Sequence, residues 1–175
     1  MEKSKKANFS VGNIKQLYSE YGIVFVLILL IIIATALNPI FISGSNIMNV
    51  LRQVSINGIL SIGMTFVIIS GCIDLSVGNV LGCTGLIVMI LMERFGMVPA
   101  ILAGLAFGLL VGVFNGWGVH LGLPAFIMTL ASQQMVKGLG YVISNGQPFS
   151  ASDEAYKFIG QGFLGFLPMP VVIFA

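Results

Sequence analysis

The chain has 175 residues, of which 57% are apolar and 8% are Asp, Glu, Lys or Arg, with a net charge of +2. Soluble domains carry about 25% charged residues, so this chain lacks the polar surface to cover a globule in water. A mean hydropathy of +1.04 excludes the same class.

The first element is a basic leader. Lys3, Lys5, Lys6 and Lys15 precede the first apolar run, with Glu2 and Glu20 among them. That mixture makes a weak nucleic-acid patch and a good cytoplasmic tail beside a membrane helix, so residues 1–20 are read as that tail and no nucleic-acid partner is expected. The run Tyr21–Leu37 ends near Ala34-Thr35-Ala36, which looks like a signal-peptidase site. It is long and rich in Ile and Leu for a signal sequence, and a retained anchor is the better reading.

Crossing the hydrocarbon as a helix takes about 20 apolar residues. Tyr21–Phe41, Gln53–Ile73, Leu75–Met92, Met97–Val119 and Gly122–Ser144 meet or approach that length. Asn38-Pro39 with Ser43-Gly44-Ser45, then Asp74, Glu93-Arg94 and His120 divide them. A polar stretch, 145–161, follows, and Phe166–Ala175 is apolar again. The expected fold is all-α, a polytopic bundle of about five spans in 21–175 with a truncated sixth, or a short interfacial segment kinked by Pro168 and Pro170. Lysine placement puts the N-terminus inside, Arg52, Arg94 and the 145–161 loop outside, and His120 inside.

Polar residues inside apolar runs are the candidate functional ones. Asp74 is the only acid between Glu20 and Glu93, with Gly71, Ser76 and Gly78 around it. Two readings stand: a cap on a helix beginning at Leu75, or a broken helix lining a pathway. Thr129, Gln133 and Lys137 recur every four residues and form a polar face, with Asn115 a candidate partner; interhelical bonding and contact with a substrate both explain it. Ala100, Gly104, Gly108, Gly112 and Gly116 form a small-residue stripe, read as helix packing, that drifts by about 40° per step. In the polar stretch, Asn145-Gly146 signals a turn, Ser150 and Asp153 have capping-box spacing, and Gly160 is a candidate helix end.

Several chemistries have nothing to stand on. Cys72 and Cys83 lie in apolar surroundings and read as fillers; with one His they make no convincing metal site. Gly160–Gly165 fits G-x-G-x-x-G, but no strand-helix-strand unit surrounds it. No G-x-x-x-x-G-K-[ST] loop and no nucleophile–base set occurs in the sequence, so no catalytic residue and no cofactor of its own are expected.

Three stretches carry a resemblance. They are Gly63-Met64-Thr65 with Val67-Ile68 and Gly71-Cys72-Ile73-Asp74-Leu75-Ser76-Val77-Gly78; Asn115-Gly116 with Pro124-Ala125-Phe126-Ile127 and Thr129-Leu130; and Lys137-Gly138 with Asn145-Gly146-Gln147-Pro148. Their order and spacing over about residues 46–150 resemble permease subunits of bacterial ABC importers for ribose, xylose, galactose and similar sugars, whose pattern reads G-M-T-x-V-I…G-G-I-D-L-S-V-G. Cys72 replaces a usual Gly, and Lys137 a usual Arg.

The resemblance implies a non-enzymatic membrane subunit of a monosaccharide importer in the bacterial cytoplasmic membrane. It implies cytoplasmic ATPase partners, a second permease copy or paralogue, and an extracytoplasmic sugar-binding protein. Members are nearly twice as long, so the chain resembles an N-terminal half that is expected to move no sugar by itself. A non-transporting half-permease, or an unrelated channel or secondary transporter, are the alternative readings.

Overall fold

The computed structural model describes residues 11–151 and 153–175, with side chains from residue 21 onward. Lys3, Lys5 and Lys6 of the basic leader lie outside the described residues. The described chain forms two units, divided after Val50.

In the first unit, helix α1 (Val11–Leu37) is followed by a 3-10 turn, Pro39–Ile42, and by the start of α2 (Gly44–Ile69). The break falls where Asn38-Pro39 and Ser43-Gly44 predict it. Asn38 Oδ1 accepts from the Ile40 amide at 3.0 Å, and Ser43 Oγ accepts from the Asn46 amide at 3.3 Å. Both bonds satisfy helix-entry donors that have no partner within the helix.

The second unit continues α2 and adds α3 (Val77–Phe95), α4 (Met97–His120), α5 (Ala125–Ser144), α6 (Glu154–Gln161) and α7 (Met169–Phe174). A two-stranded antiparallel hairpin, β1 (Phe163–Leu164) and β2 (Leu167–Pro168), joins α6 to α7. The apolar run from Phe166 therefore opens in the hairpin, and its helical part starts at Met169. Pro170 lies in the first turn of that helix, where proline's missing N–H leaves no bond unmade. The G-x-G-x-x-G run falls on the end of α6 and on the hairpin turn, where Gly165 has φ +65°.

Helix ends are set by left-handed residues. Gly71 (φ +78°) stops α2, with Gly71 N–H bonded to Ile68 O at 2.9 Å and Cys72 N–H to Val67 O at 3.1 Å. Gly122 (φ +95°) stops α4 in the same way, through Gly122 N–H to Val119 O and Leu123 N–H to Gly118 O. Gly122 thus closes the fourth helix instead of opening the fifth, which begins at Ala125 after Pro124. Asn145 (φ 51°) and Gly146 end α5 at the predicted turn.

Helices α2, α3 and α4 are long and apolar enough to cross a membrane. The described apolar part of α1, Tyr21–Leu37, is shorter, and α5 carries Gln133, Gln134 and Lys137, which lower its hydropathy. Outward faces are bare apolar surface: Leu105, Leu109 and Val113 on α4 are 64%, 68% and 60% exposed. Such faces need lipid as their solvent, and the chain is a multi-pass membrane protein.

The core is the α3–α4 hairpin. Val88, Met92 and Ala100 are buried, with Leu91, Met97, Ile101 and Tyr156 packed around them. Gly104 meets Val88 and Thr84, and Gly108 approaches Thr84 and Val80. Gly112 and Gly116 have no such neighbour within 4 Å. Within the stripe, close approach to α3 is seen at Gly104 and Gly108. A four-residue repeat rotates about 40° per step, so after three steps the stripe has turned off α3.

At the other end of the unit, Asp153, not Ser150, caps α6, accepting from the Tyr156 amide at 2.9 Å, and the helix runs past Gly160 to Gln161. Arg52 on α2 donates to Gln161 O at 3.1 Å and stacks 5.5 Å from the Phe163 ring centroid. Arg52, the turn between α3 and α4, and α6 therefore share one end of this unit. His120 and the Asp74 segment lie towards the other end.

Candidate functional site

The chain between Ile69 and Val77 is the one long non-helical connection flanked by spanning-length helices among the described residues. Its backbone groups have no helix to satisfy them, and side chains from three elements do so instead. Asp74 Oδ1 accepts from Ser76 N–H at 2.7 Å and from Ser76 Oγ–H at 2.6 Å. The first of these is an Asp side chain closing a turn onto its own backbone. Helix α3 begins at Val77, so Asp74 stands before the helix and holds Ser76, its N-cap residue.

Ser76 is 1% exposed, and its hydroxyl also accepts from Asn115 Nδ2 at 3.0 Å. The chain of donors runs amide to hydroxyl to carboxylate, and each bond polarises the next. On the opposite side, Thr129 Oγ1 accepts from Leu75 N–H at 3.2 Å. The Thr129 hydroxyl donates along its own helix to Ala125 O at 2.8 Å and lies 3.3 Å from Ile73 O. The segment is thus pinned to α4 through Asn115 and to α5 through Thr129.

One amide end is left over. Asn115 is 5% exposed, and its Oδ1 is buried with no partner among the described residues. An unmet buried acceptor costs about 1–3 kcal/mol. Asn115 also lines a cavity of about 370 Å³ together with Asp74, Thr129, Cys72, Gly112 and Gly116.

The structure thus gathers Asp74, Leu75, Ser76, Asn115 and Thr129 and leaves the other sequence candidates apart. Gly78 is on the open first turn of α3, and Phe126 is 54% exposed. Gln133 enters through its backbone carbonyl, which accepts from Asn79 Nδ2 at 3.2 Å. Lys137 is exposed and borders a second cavity of about 400 Å³ with Asn79, Tyr141 and Gln147. Asn115, the candidate partner of that polar face, instead bonds Ser76.

Two residues escape sequence reasoning. Asn79 is the only amide side chain on α3, a signal available from composition. Ser132 is 2% exposed and lies in the buried stripe Met128, Thr129, Ser132, Val136. That stripe steps by one, three and four residues, whereas the strict four-residue repeat leads from Thr129 to the exposed Lys137.

A family model described as the branched-chain amino acid transport system permease component matches residues 46–175. This chain belongs to that permease family. The ribose import permease protein RbsC of Haemophilus influenzae is 38% identical across 99% of this chain and 54% of its own length. The xylose transport system permease protein XylH of Escherichia coli K12 is 42% identical across 71% of this chain and 32% of its own length. RbsC of Bacillus subtilis is 39% identical across 83% of this chain and 47% of its own length. The chain therefore spans about half, or less, of the length of these relatives. No solved structure matches it. Membership in a permease family removes the reading as an unrelated channel or secondary transporter.

Proposed function

We propose that this chain is the membrane-spanning permease part of an ATP-driven monosaccharide importer, with the Asp74–Ser76–Asn115–Thr129 junction on its translocation pathway. The observation that carries the substrate class is the set of relatives named for ribose and xylose, at 38% to 42% identity. The family description speaks of branched-chain amino acids, but a cavity bordered by a carboxylate and an amide suits hydroxyl groups better than an aliphatic side chain.

The sequence offers no nucleotide loop, so ATP hydrolysis belongs to cytoplasmic ATPase subunits. A second permease copy or paralogue completes the pathway, and an extracytoplasmic sugar-binding protein delivers the cargo. The N-terminus lies in the cytoplasm of a bacterial cell and the 145–161 segment outside the membrane, as the lysine placement favours.

Disrupting the gene that encodes these residues should abolish ATP-dependent uptake of one of labelled ribose, xylose and galactose. Unchanged uptake of all three overturns the proposal. For orientation, Cys72 and Cys83 are replaced and single cysteines are placed by Glu154→Cys or His120→Cys. An impermeant thiol reagent should label the first and spare the second in intact cells; the opposite pattern reverses the topology.

A further inference from the structure

We infer that Gly112 and Gly116 are passage-lining positions, which hold open beside the Asn115 amide a wet compartment that receives a hydroxyl of the passing sugar. This deepens the permease reading and rests on it for the identity of the cargo.

Two independent observations meet at this place. The first is the change of role along α4. A Cβ built on Gly104 collides with Val88 and Thr84, whereas one built on Gly112 or Gly116 meets nothing within 4 Å. The open pair borders the cavity of about 370 Å³. The second is the Asn115 side chain, 5% exposed and bordering the same cavity, with Nδ2 engaged by Ser76 and Oδ1 without a partner. An amide oxygen left so needs a donor; Val67 and Val119 have none to offer, and the two hydroxyls of the lining, Ser70 and Thr129, donate to Val67 O and Ala125 O instead. Asp74 spends only Oδ1 on its two bonds, which leaves the cavity rim a second acceptor.

A hydroxyl is the group that fits this set. It donates to Asn115 Oδ1 and is small enough to pass where glycine takes the place of a side chain. An amino group would meet the same acceptors, but the relatives' named cargoes are sugars. Water shares the hydroxyl chemistry, and the experiment separates the two sources.

Cys72 borders this cavity and is a built-in reporter, while Cys83 lies elsewhere and is removed by Cys83→Ala. Membranes containing the chain expressed from its own gene are treated with a small water-soluble methanethiosulfonate. Cys72 should react, and the carried sugar, under turnover, should slow the reaction. Gly112→Leu and Gly116→Leu should slow it by roughly tenfold and cut uptake to a similar degree, at unchanged protein level and melting temperature. Gly22→Leu, with open space around it in α1, should alter neither.

Loss of protein level or melting temperature in the Leu variants would make these packing positions and overturn the inference, as would an inert Cys72. Labelling indifferent to sugar would give the hydroxyl to resident water and refute the sugar contact. Asn115→Leu should depress uptake further than Ser76→Ala, which cuts the same side-chain tie but keeps Oδ1. Equal losses would reduce Asn115 to a structural tie. Labelling blocked by leucine, with no sugar carried even by the native protein, would uphold the compartment and sink the importer reading.

Discussion

Ser76 uses one hydroxyl twice, as donor to Asp74 and acceptor from Asn115, at 2.6 and 3.0 Å. Asp74 was conspicuous in the sequence as a lone acid, but its partners were not. Asn115 lies 39 residues from Ser76, and Thr129 lies 54 from Leu75. No helical or turn spacing connects positions so far apart; only the packing of α3 against α4 and α5 does. Thr129→Val keeps shape and removes the acceptor for Leu75 N–H. We expect a loss of about 1–3 kcal/mol, read as a lower melting temperature in detergent, with Thr129→Ser milder. Asp74→Asn retains an oxygen for Ser76 N–H and should melt above Asp74→Ala. If both variants are folded but neither supports uptake, the charge itself serves the pathway; full uptake by Asp74→Ala would remove Asp74 from it.

At the scale of elements, the apolar runs revealed the helices, and left-handed residues set ends that the runs blurred. Gly122 read as part of the fifth span because its neighbours are apolar, but its φ of +95° makes it a stop signal. Glu93-Arg94 read as a break, yet α3 continues through both to Phe95. Charge at a membrane boundary ends the apolar run without ending the helix. The glycine stripe was legible as a pattern, and its division was not, since the turn-off depends on the crossing of α3 and α4. Gly104→Leu should therefore lower yield and melting temperature through a clash worth about 1–3 kcal/mol. Gly104→Ala should cost less than leucine because it adds one methyl only, but that methyl already meets the buried, β-branched Val88. Equal melting of all three proteins would show that α3 and α4 are not in contact there.

At the scale of the second unit, the C-terminal segment is fastened back on the bundle. Arg52 holds Gln161 O, Tyr156 packs on the α3–α4 core, and the Phe174 ring occupies the space that a side chain on Gly58 would fill. The sequence did not reveal this return, because Phe166–Ala175 reads as plain apolar chain and Gly58 as one more small residue. Arg52→Ala should loosen α6 and the hairpin, raising amide exchange across 154–168 while leaving α3 and α4 protected. Uniform exchange in variant and native protein would mean that the Arg52 contacts bear no weight.

One residue, Gly96, with φ +80°, is all that separates α3 from α4. A connection that short ties the two helices into one hairpin. We expect the pair to enter the bilayer as one hairpin, with Glu93 and Arg94 near its tip. The core of Val88, Met92 and Ala100 is made of near neighbours in sequence, so it closes quickly. The Asp74 segment, whose partners are distant in sequence, is expected to close later.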